Sequence, residues 1–103
     1  MNLRIRPAAQ AEIDDLAEYI ALDNESAARR FLAAVNEAFE SLLRMPGMGC
    51  KREFIRNELR QIRSWPVPGF NNYLIFYREV LGGIEVLHVF HGARDLDAIF
   101  KIE

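Results

Sequence analysis

The sequence has a single cysteine, Cys50, no apolar run long enough to cross a bilayer, and no large excess of either charge. One cysteine excludes an internal disulfide and a multi-cysteine metal site, and it suits a reducing, cytoplasmic setting. A membrane-spanning helix needs about 20 apolar residues in succession, so no membrane partner is expected. The formal net charge of -2 argues against a protein that holds nucleic acid by its overall field.

The Gly82-Gly83 pair separates two strand-like apolar runs, residues 73–80 and 84–90. Two glycines at that position predict a β-hairpin with its turn at the pair, because both take positive φ without steric strain. In the second run, strict alternation puts Val86, His88 and Phe90 on one face. Since the chain is short, this hairpin is predicted to lie at the centre of its sheet.

Upstream, the pattern predicts a short strand followed by two helices. Residues 3–6 alternate between apolar and charged side chains, and Pro7 suits the first turn of a helix over residues 8–22. Capping residues at 23–26 precede a second helix, which Met45-Pro46-Gly47 ends. Phe31 and Phe39 are predicted core residues on its apolar stripe, and the short connection predicts an antiparallel helical hairpin.

Between the helices and the hairpin, residues 45–57 are predicted as a loop with Met48 and Phe54 on the core. A strand is predicted over residues 58–65, ended by Pro66-Val67-Pro68-Gly69, and a last helical turn over 95–102. The fold class is therefore α+β, a single domain over residues 1–103 in the order β-α-α-β-β-β. The helical hairpin packs on one face of a small, mainly antiparallel sheet. The other apolar face of the sheet is either covered by the chain itself or binds a partner.

Taken in order, several segments resemble the RelE/ParE superfamily of bacterial toxins from type II toxin–antitoxin systems. The segments are the opening strand with its proline, AEIDDLAEYIA, SAARRFLAAV, LRMPGMG, LRQIRSW, YLIFYR and IEVLHVFHGARDLDAIF. The resemblance implies a cytoplasmic toxin held inactive by a small cognate antitoxin, whose C-terminal segment wraps it. It also implies a role such as plasmid stabilisation, without a cofactor.

The superfamily has two functional branches, and the sequence bears on both. RelE-type members cleave mRNA in the ribosome, which needs a base, a charge stabiliser and an acid close together. His91, Arg94 and Arg78, or His88, are the candidates for such a set. Where RelE-type enzymes place a tyrosine near the C-terminus, this chain has Phe100, which cannot donate a proton.

The ParE-type branch is therefore favoured. Its members are described as inhibitors of DNA gyrase that act by protein–protein contact, with no chemistry of their own and no direct sequence-specific binding of nucleic acid. A RelE-like endonuclease is the alternative, and a fold-mate that has lost toxicity but still binds its antitoxin is a third possibility. The predicted partner-binding residues are Arg60, Arg63, Trp65, His91, Arg94, Asp95 and Phe100.

Each candidate also has a structural interpretation. Arg94 and Asp95 can pair locally and fix the C-terminal segment, and charges on the strand before the hairpin can protect an exposed sheet edge. His88 is predicted to be a core histidine with a hydrogen-bonding partner. Cys50 is predicted to be an ordinary loop cysteine, because no base partner is identifiable. No metal site is expected, since no second ligand stands at metal-binding spacing.

Overall fold

The computed structural model describes residues 2–51 and 61–92. Its elements are β1 (Asn2–Ile5), α1 (Pro7–Asp23), α2 (Glu25–Arg44), a 3-10 turn (Pro46–Met48), β2 (Cys50–Lys51), β3 (Arg63–Val67), β4 (Phe70–Val80) and β5 (Gly83–His91). The predicted α+β class and element order are confirmed, with the two-residue strand β2 as an addition. Phe54 and the helical turn predicted over 95–102 lie outside the described residues.

The described strands form one sheet in the order β1-β5-β4-β3-β2. β1 runs parallel to β5, and the other three pairs are antiparallel. The predicted hairpin, β4 with β5, is therefore central, with β1 on one side and β3 on the other. The first and last described strands of the chain are neighbours, which fixes the helices that follow β1 against β5.

The helical hairpin forms where the sequence places its breaks. Pro7 occupies the first turn of α1, where its missing N–H removes no helical hydrogen bond. Only Asn24 separates the two helices, and its side-chain oxygen accepts a hydrogen bond of 3.0 Å from the Ala27 N–H. This is an N-cap, which satisfies one of the free donors at the start of α2. The connection is short enough to make α1 and α2 antiparallel neighbours.

The main core lies between the two helices and one face of the sheet. Phe31 and Phe39 of α2 are both buried, as predicted, and Met48 packs at the edge of this core. The Phe31 ring meets those of Phe70 and Tyr73 edge-on, at centroid distances of 5.4 and 5.5 Å. The sheet contributes the buried side chains of Val67, Ile75, Tyr77, Ile84, Val86 and Val89.

The opposite face of the sheet has its own buried cluster. Ile62, Phe76, Leu87 and Phe90 are each at most 9% exposed, and the rings of Phe76 and Phe90 stack with centroids 4.7 Å apart. An apolar face left bare for a partner is therefore wrong for these side chains. Of the two possibilities that the sequence left open, burial within the chain holds for this cluster.

The turn of the central hairpin is displaced by one residue from its predicted place. It consists of Leu81 and Gly82, because Val80 pairs directly with Gly83. Gly82 has φ of 79° and supplies the positive φ of the turn. Gly83 is already part of β5, where an added Cβ would overlap the backbone of Asn2 in β1. The second glycine therefore serves the close approach of a neighbouring strand.

β5 also departs from strict alternation. Its ladder with β4 shifts register between Phe76 and Tyr77, which leaves Leu87 as an extra residue in β5. Val86 and Val89 consequently both lie in the helix-side core, although they are three positions apart. The face assignment predicted for this strand is wrong at this point, because a bulge reverses which residues point toward the helices.

The outer strands differ from prediction in their limits. β3 continues to Val67, beyond the proline that was predicted to end it. Pro66 is tolerated because β2 pairs only with Arg63 and Ser64, so no residue of β2 requires the N–H donor that proline lacks. Cys50 is an exposed residue of β2, and the loop assignment for it is therefore wrong.

Candidate partner-binding surface

The predicted functional cluster at the end of β5 is described as far as Gly92. His91 is half-buried, and its ring meets the Tyr73 ring of β4 edge-on, with centroids 5.5 Å apart. Gly92 donates its N–H to the Asn72 carbonyl oxygen at 2.8 Å, which fixes the chain as it leaves the sheet. The remaining predicted residues outside the described ranges are Arg60, Arg94, Asp95 and Phe100.

Arg63 and Trp65 of β3 have contacts within the chain. The Arg63 guanidinium donates to the carbonyl oxygens of Gly47 and Gly49, at 3.2 and 2.8 Å, and lies 3.6 Å from the Glu79 carboxylate. Trp65 is half-buried and packs against the helix-side core. These contacts give Arg63 a structural role, in which it fastens the 3-10 turn to the sheet.

Tyr77 of β4 also holds the 3-10 turn against the sheet, a role that the sequence does not predict. Its buried hydroxyl accepts the Gly49 N–H at 2.8 Å and donates to the Pro46 carbonyl oxygen at 2.7 Å. Burial raises the pKa of Tyr77, while the Gly49 N–H and the charge of Arg63 act in the opposite direction. The phenol therefore stays protonated and keeps its donor. A buried tyrosine usually finds a polar partner, but the sequence does not say which one.

Arg78 and His91, two members of the candidate RNA-cleaving set, are far apart. His91 pairs with Tyr73, and Arg78 stands five residues further along β4, which amounts to about 16 Å at the rise of a strand. An odd number of residues also places Arg78 and Tyr73 on opposite faces of the sheet. The described residues thus do not bring these two side chains together.

Arg78 instead pairs with a carboxylate. Its Nε lies 2.7 Å from one oxygen of Glu85, and the Nε of Arg6 lies 3.5 Å from the other. Burial alone would raise the pKa of Glu85, but the hydrogen bond and charge of Arg78, together with Arg6, hold that pKa below its usual value. Glu85 is therefore an ionised anchor between two arginines.

The Glu85 pKa predicts how stability changes with pH. A carboxyl group with a lowered pKa in the folded state stabilises the protein above its unfolded pKa, near 4.5, and loses this contribution as the pH falls. We expect wild type to exceed Glu85→Gln in free energy of unfolding most at pH 6 to 7. The difference should shrink below about pH 4.5, as measured by urea denaturation across that range. A difference that stays constant or grows in acid would contradict the assignment.

His88 is buried and hydrogen-bonded, as predicted, but its partner comes from the helical hairpin. Both carboxylate oxygens of Glu12 in α1 lie 3.2 Å from His88 Nδ1, and one accepts the Val89 N–H at 3.1 Å. β1 pairs with β5 only as far as Val86, so Glu12 takes a backbone donor beyond the end of that pairing. Glu12 is half-buried, and the sequence analysis does not predict its contact with β5.

Within residues 2–51 and 61–92, no three side chains of His, Cys, Asp or Glu converge in a way that could hold a metal ion. Neither α1 nor α2, the described helices, has the length and apolar character needed to cross a membrane.

The sequence matches the family described as "ParE toxin of type II toxin-antitoxin system, parDE" over residues 3–96. The chain belongs to the ParE toxin family. A solved structure titled "Chromosomal ParDE TA system from P. aeruginosa" resembles this ParE-family chain with a TM-score of 0.69 and 17% sequence identity. The alignment covers 88% of this chain and 95% of that chain, and at such low identity it supports the fold alone. No curated protein matches the sequence.

The helical hairpin of this ParE toxin exposes apolar side chains at its tip. Tyr19 is 64% exposed and Leu22 is 86% exposed, both near the end of α1. They line an open groove together with Asp23, Asn24 and Ala27. A protein partner that covered this groove would remove apolar surface from water, which favours association.

Proposed function

We propose that this ParE-family chain inhibits DNA gyrase by protein–protein contact and is neutralised by a cognate antitoxin. The observation that carries the proposal is the family match over residues 3–96. A match of that extent includes both the helical hairpin and the central β4–β5 hairpin. The favoured branch of the superfamily acts by contact, so the proposal assigns this chain no catalytic residue.

The positions of the RelE-type candidates support binding over catalysis. Cleavage of RNA needs its acid, base and charge stabiliser within a few ångströms of one phosphate. Arg78 and His91 are separated by about 16 Å along β4 and lie on opposite faces of the sheet. Arg78 is in addition engaged by Glu85 at 2.7 Å.

Neutralisation is proposed to involve the exposed tip of the helical hairpin. Tyr19 and Leu22 offer apolar surface beside the acidic residue Asp23, and an antitoxin segment that wraps the toxin would bury both side chains. Leu22→Ala should weaken antitoxin binding. It should leave the fold unchanged, because Leu22 lies in neither core cluster.

Gyrase inhibition is tested with the purified full chain in a supercoiling reaction. We expect loss of supercoiled product or accumulation of cleaved DNA, and relief of both when the antitoxin is added first. The heat-denatured chain is the control for nonspecific effects. Truncation after Asp95 should weaken inhibition more than antitoxin binding, as the resemblance to ParE-type toxins implies.

A parallel translation reaction separates the two branches of the superfamily. With gyrase as the target, ribosome-bound mRNA should stay intact while supercoiling fails. The proposal is wrong if folded protein leaves gyrase unaffected and instead produces codon-linked cuts that His91→Ala abolishes. It is equally wrong if the chain binds its antitoxin but affects neither supercoiling nor translation. That result would indicate a protein with the same fold that has lost its toxicity.

A further inference from the structure

A row of charged side chains crosses three strands on the face of the sheet opposite the helices. Arg4 of β1 is the direct partner of Glu85 in β5, and Glu85 is the direct partner of Arg78 in β4. Ile5 and Val86, which also pair, both face the core between the sheet and the helices. Because side chains alternate along a strand, Arg4 and Glu85 face the other way. The three side chains therefore stand side by side on one surface.

The surface has more positive than negative charge. Glu85 already has Arg78 at 2.7 Å and Arg6 at 3.5 Å, one on each carboxylate oxygen. Arg4 is exposed and makes no ion pair with any residue of the described ranges. Two guanidinium groups thus contact the Glu85 carboxylate, and Arg4 adds a third positive charge at the neighbouring position of β1, in a chain whose formal net charge is -2. The side chains of Arg6 and Arg78 remain 42% and 46% exposed.

The size of the surface suits a short ligand. Strands lie about 4.8 Å apart, so the backbones at Arg4 and Arg78 are separated by about 10 Å. Glu85 holds Arg78 and Arg6 in fixed positions, which reduces the entropy that they would lose on binding. Guanidinium groups bind carboxylates through two parallel hydrogen bonds, a geometry that an ammonium group cannot reproduce.

An exposed apolar residue lies at the hairpin turn, about 10 Å along β4 from this charged row. Leu81, at the turn between β4 and β5, is 97% exposed and lies three residues from Arg78. A polypeptide can cover such a leucine with an apolar side chain of its own. A polynucleotide that binds through its phosphates gains nothing from it, and the net negative charge of the chain opposes a long polyanion.

We propose that Arg4, Arg6 and Arg78, arranged around Glu85, form a docking surface for an acidic polypeptide segment. The segment carries two or more Asp or Glu side chains and an apolar residue that reaches Leu81. Its carboxylates pair first with Arg4, which is exposed, and then with the outward-facing donors of Arg6 and Arg78. The inference does not depend on gyrase being the target, because it rests only on the positions and charges of these described side chains.

The test uses the full chain and a fluorescein-labelled peptide of about ten residues that repeats Glu-Glu-Leu, followed by fluorescence anisotropy at low salt. We expect saturable binding that weakens with added salt. Arg4→Ala should weaken it about threefold to fivefold, the effect of one exposed charge pair, and Arg4→Glu should weaken it further. Arg4→Ala leaves the Glu85 contacts in place, so the fold is preserved.

Arg29→Ala is the matched control, because Arg29 is an exposed arginine of α2 in the helical layer on the other side of the sheet. It should leave peptide affinity unchanged. Equal losses of peptide affinity in Arg4→Ala and Arg29→Ala would show that only net charge matters, and would overturn the proposal. Absence of peptide binding to wild type would overturn it as well. A single-stranded DNA of about ten nucleotides that binds more tightly, with the same dependence on Arg4, would also overturn it.

Discussion

Replacing Phe31 with alanine is expected to lower the free energy of unfolding by about 4 kcal/mol, the usual cost of deleting a fully buried aromatic side chain. Phe31 is 0% exposed and contacts two rings of the sheet, those of Phe70 and Tyr73. Its removal leaves a cavity between α2 and β4 and ends both aromatic contacts. Urea denaturation at neutral pH, followed by circular dichroism, measures the loss.

The neighbouring residue is the control. Leu32 is 37% exposed on the same helix, so Leu32→Ala should lower the free energy of unfolding by less than about 1 kcal/mol. If the two variants lost similar stability, Phe31 would not be the contact that joins the helical hairpin to the sheet.

Gly49→Ala is expected to cost about 3 kcal/mol, because it both overpacks the core and disturbs two hydrogen bonds. An added Cβ would lie 2.7 Å from Cε1 of Tyr77 and 2.9 Å from the Ser64 carbonyl oxygen, and it would overlap the Tyr77 hydroxyl. Neither neighbour yields easily, since Tyr77 is fully buried and the Ser64 oxygen belongs to β3. Thermal unfolding of the variant should shift to a clearly lower midpoint.

Gly47→Ala tests whether this effect is local. Gly47 lies in the 3-10 turn just before Gly49, but its added Cβ would meet only the Glu79 carboxylate at 3.8 Å, an ordinary contact. Its stability should stay within about 0.5 kcal/mol of wild type. A similar loss at Gly47 would show that the whole turn resists alanine, and the close approach of Tyr77 would then not explain Gly49.

The helices and the central hairpin are predictable from the sequence because their signals are local. Periodic apolar residues, Pro7 and the Asn24 cap all act within a few positions of the structure that they specify. The sequence pattern places the turn one residue too late, because either glycine can supply positive φ. What decides between them is the passage of Asn2 beside Gly83, a contact between β1 and the first residue of β5.

The candidate surface was harder to predict because its contacts join residues that are distant in the sequence. Glu12 and His88 are 76 positions apart, and the Tyr77 hydroxyl reaches Gly49 across 28 positions. No pattern within one segment indicates either pair. The same applies to Arg4 and Glu85, whose alignment follows from the parallel register of β1 and β5. Residue types in the sequence can suggest candidate residues, but only the strand register shows which of them lie next to one another.

The pairing of Asn2 with Gly83 also constrains when the protein can fold during its synthesis. β1 is synthesised before the other described strands, yet its only neighbour in the described sheet, β5, is the last of those strands to be made. Contacts so distant in sequence form late, since a long loop must close before they contribute stability. A nascent chain therefore holds β1 unpaired until β5 emerges, and a translation product interrupted before β5 lacks the strand that joins β1 to β4.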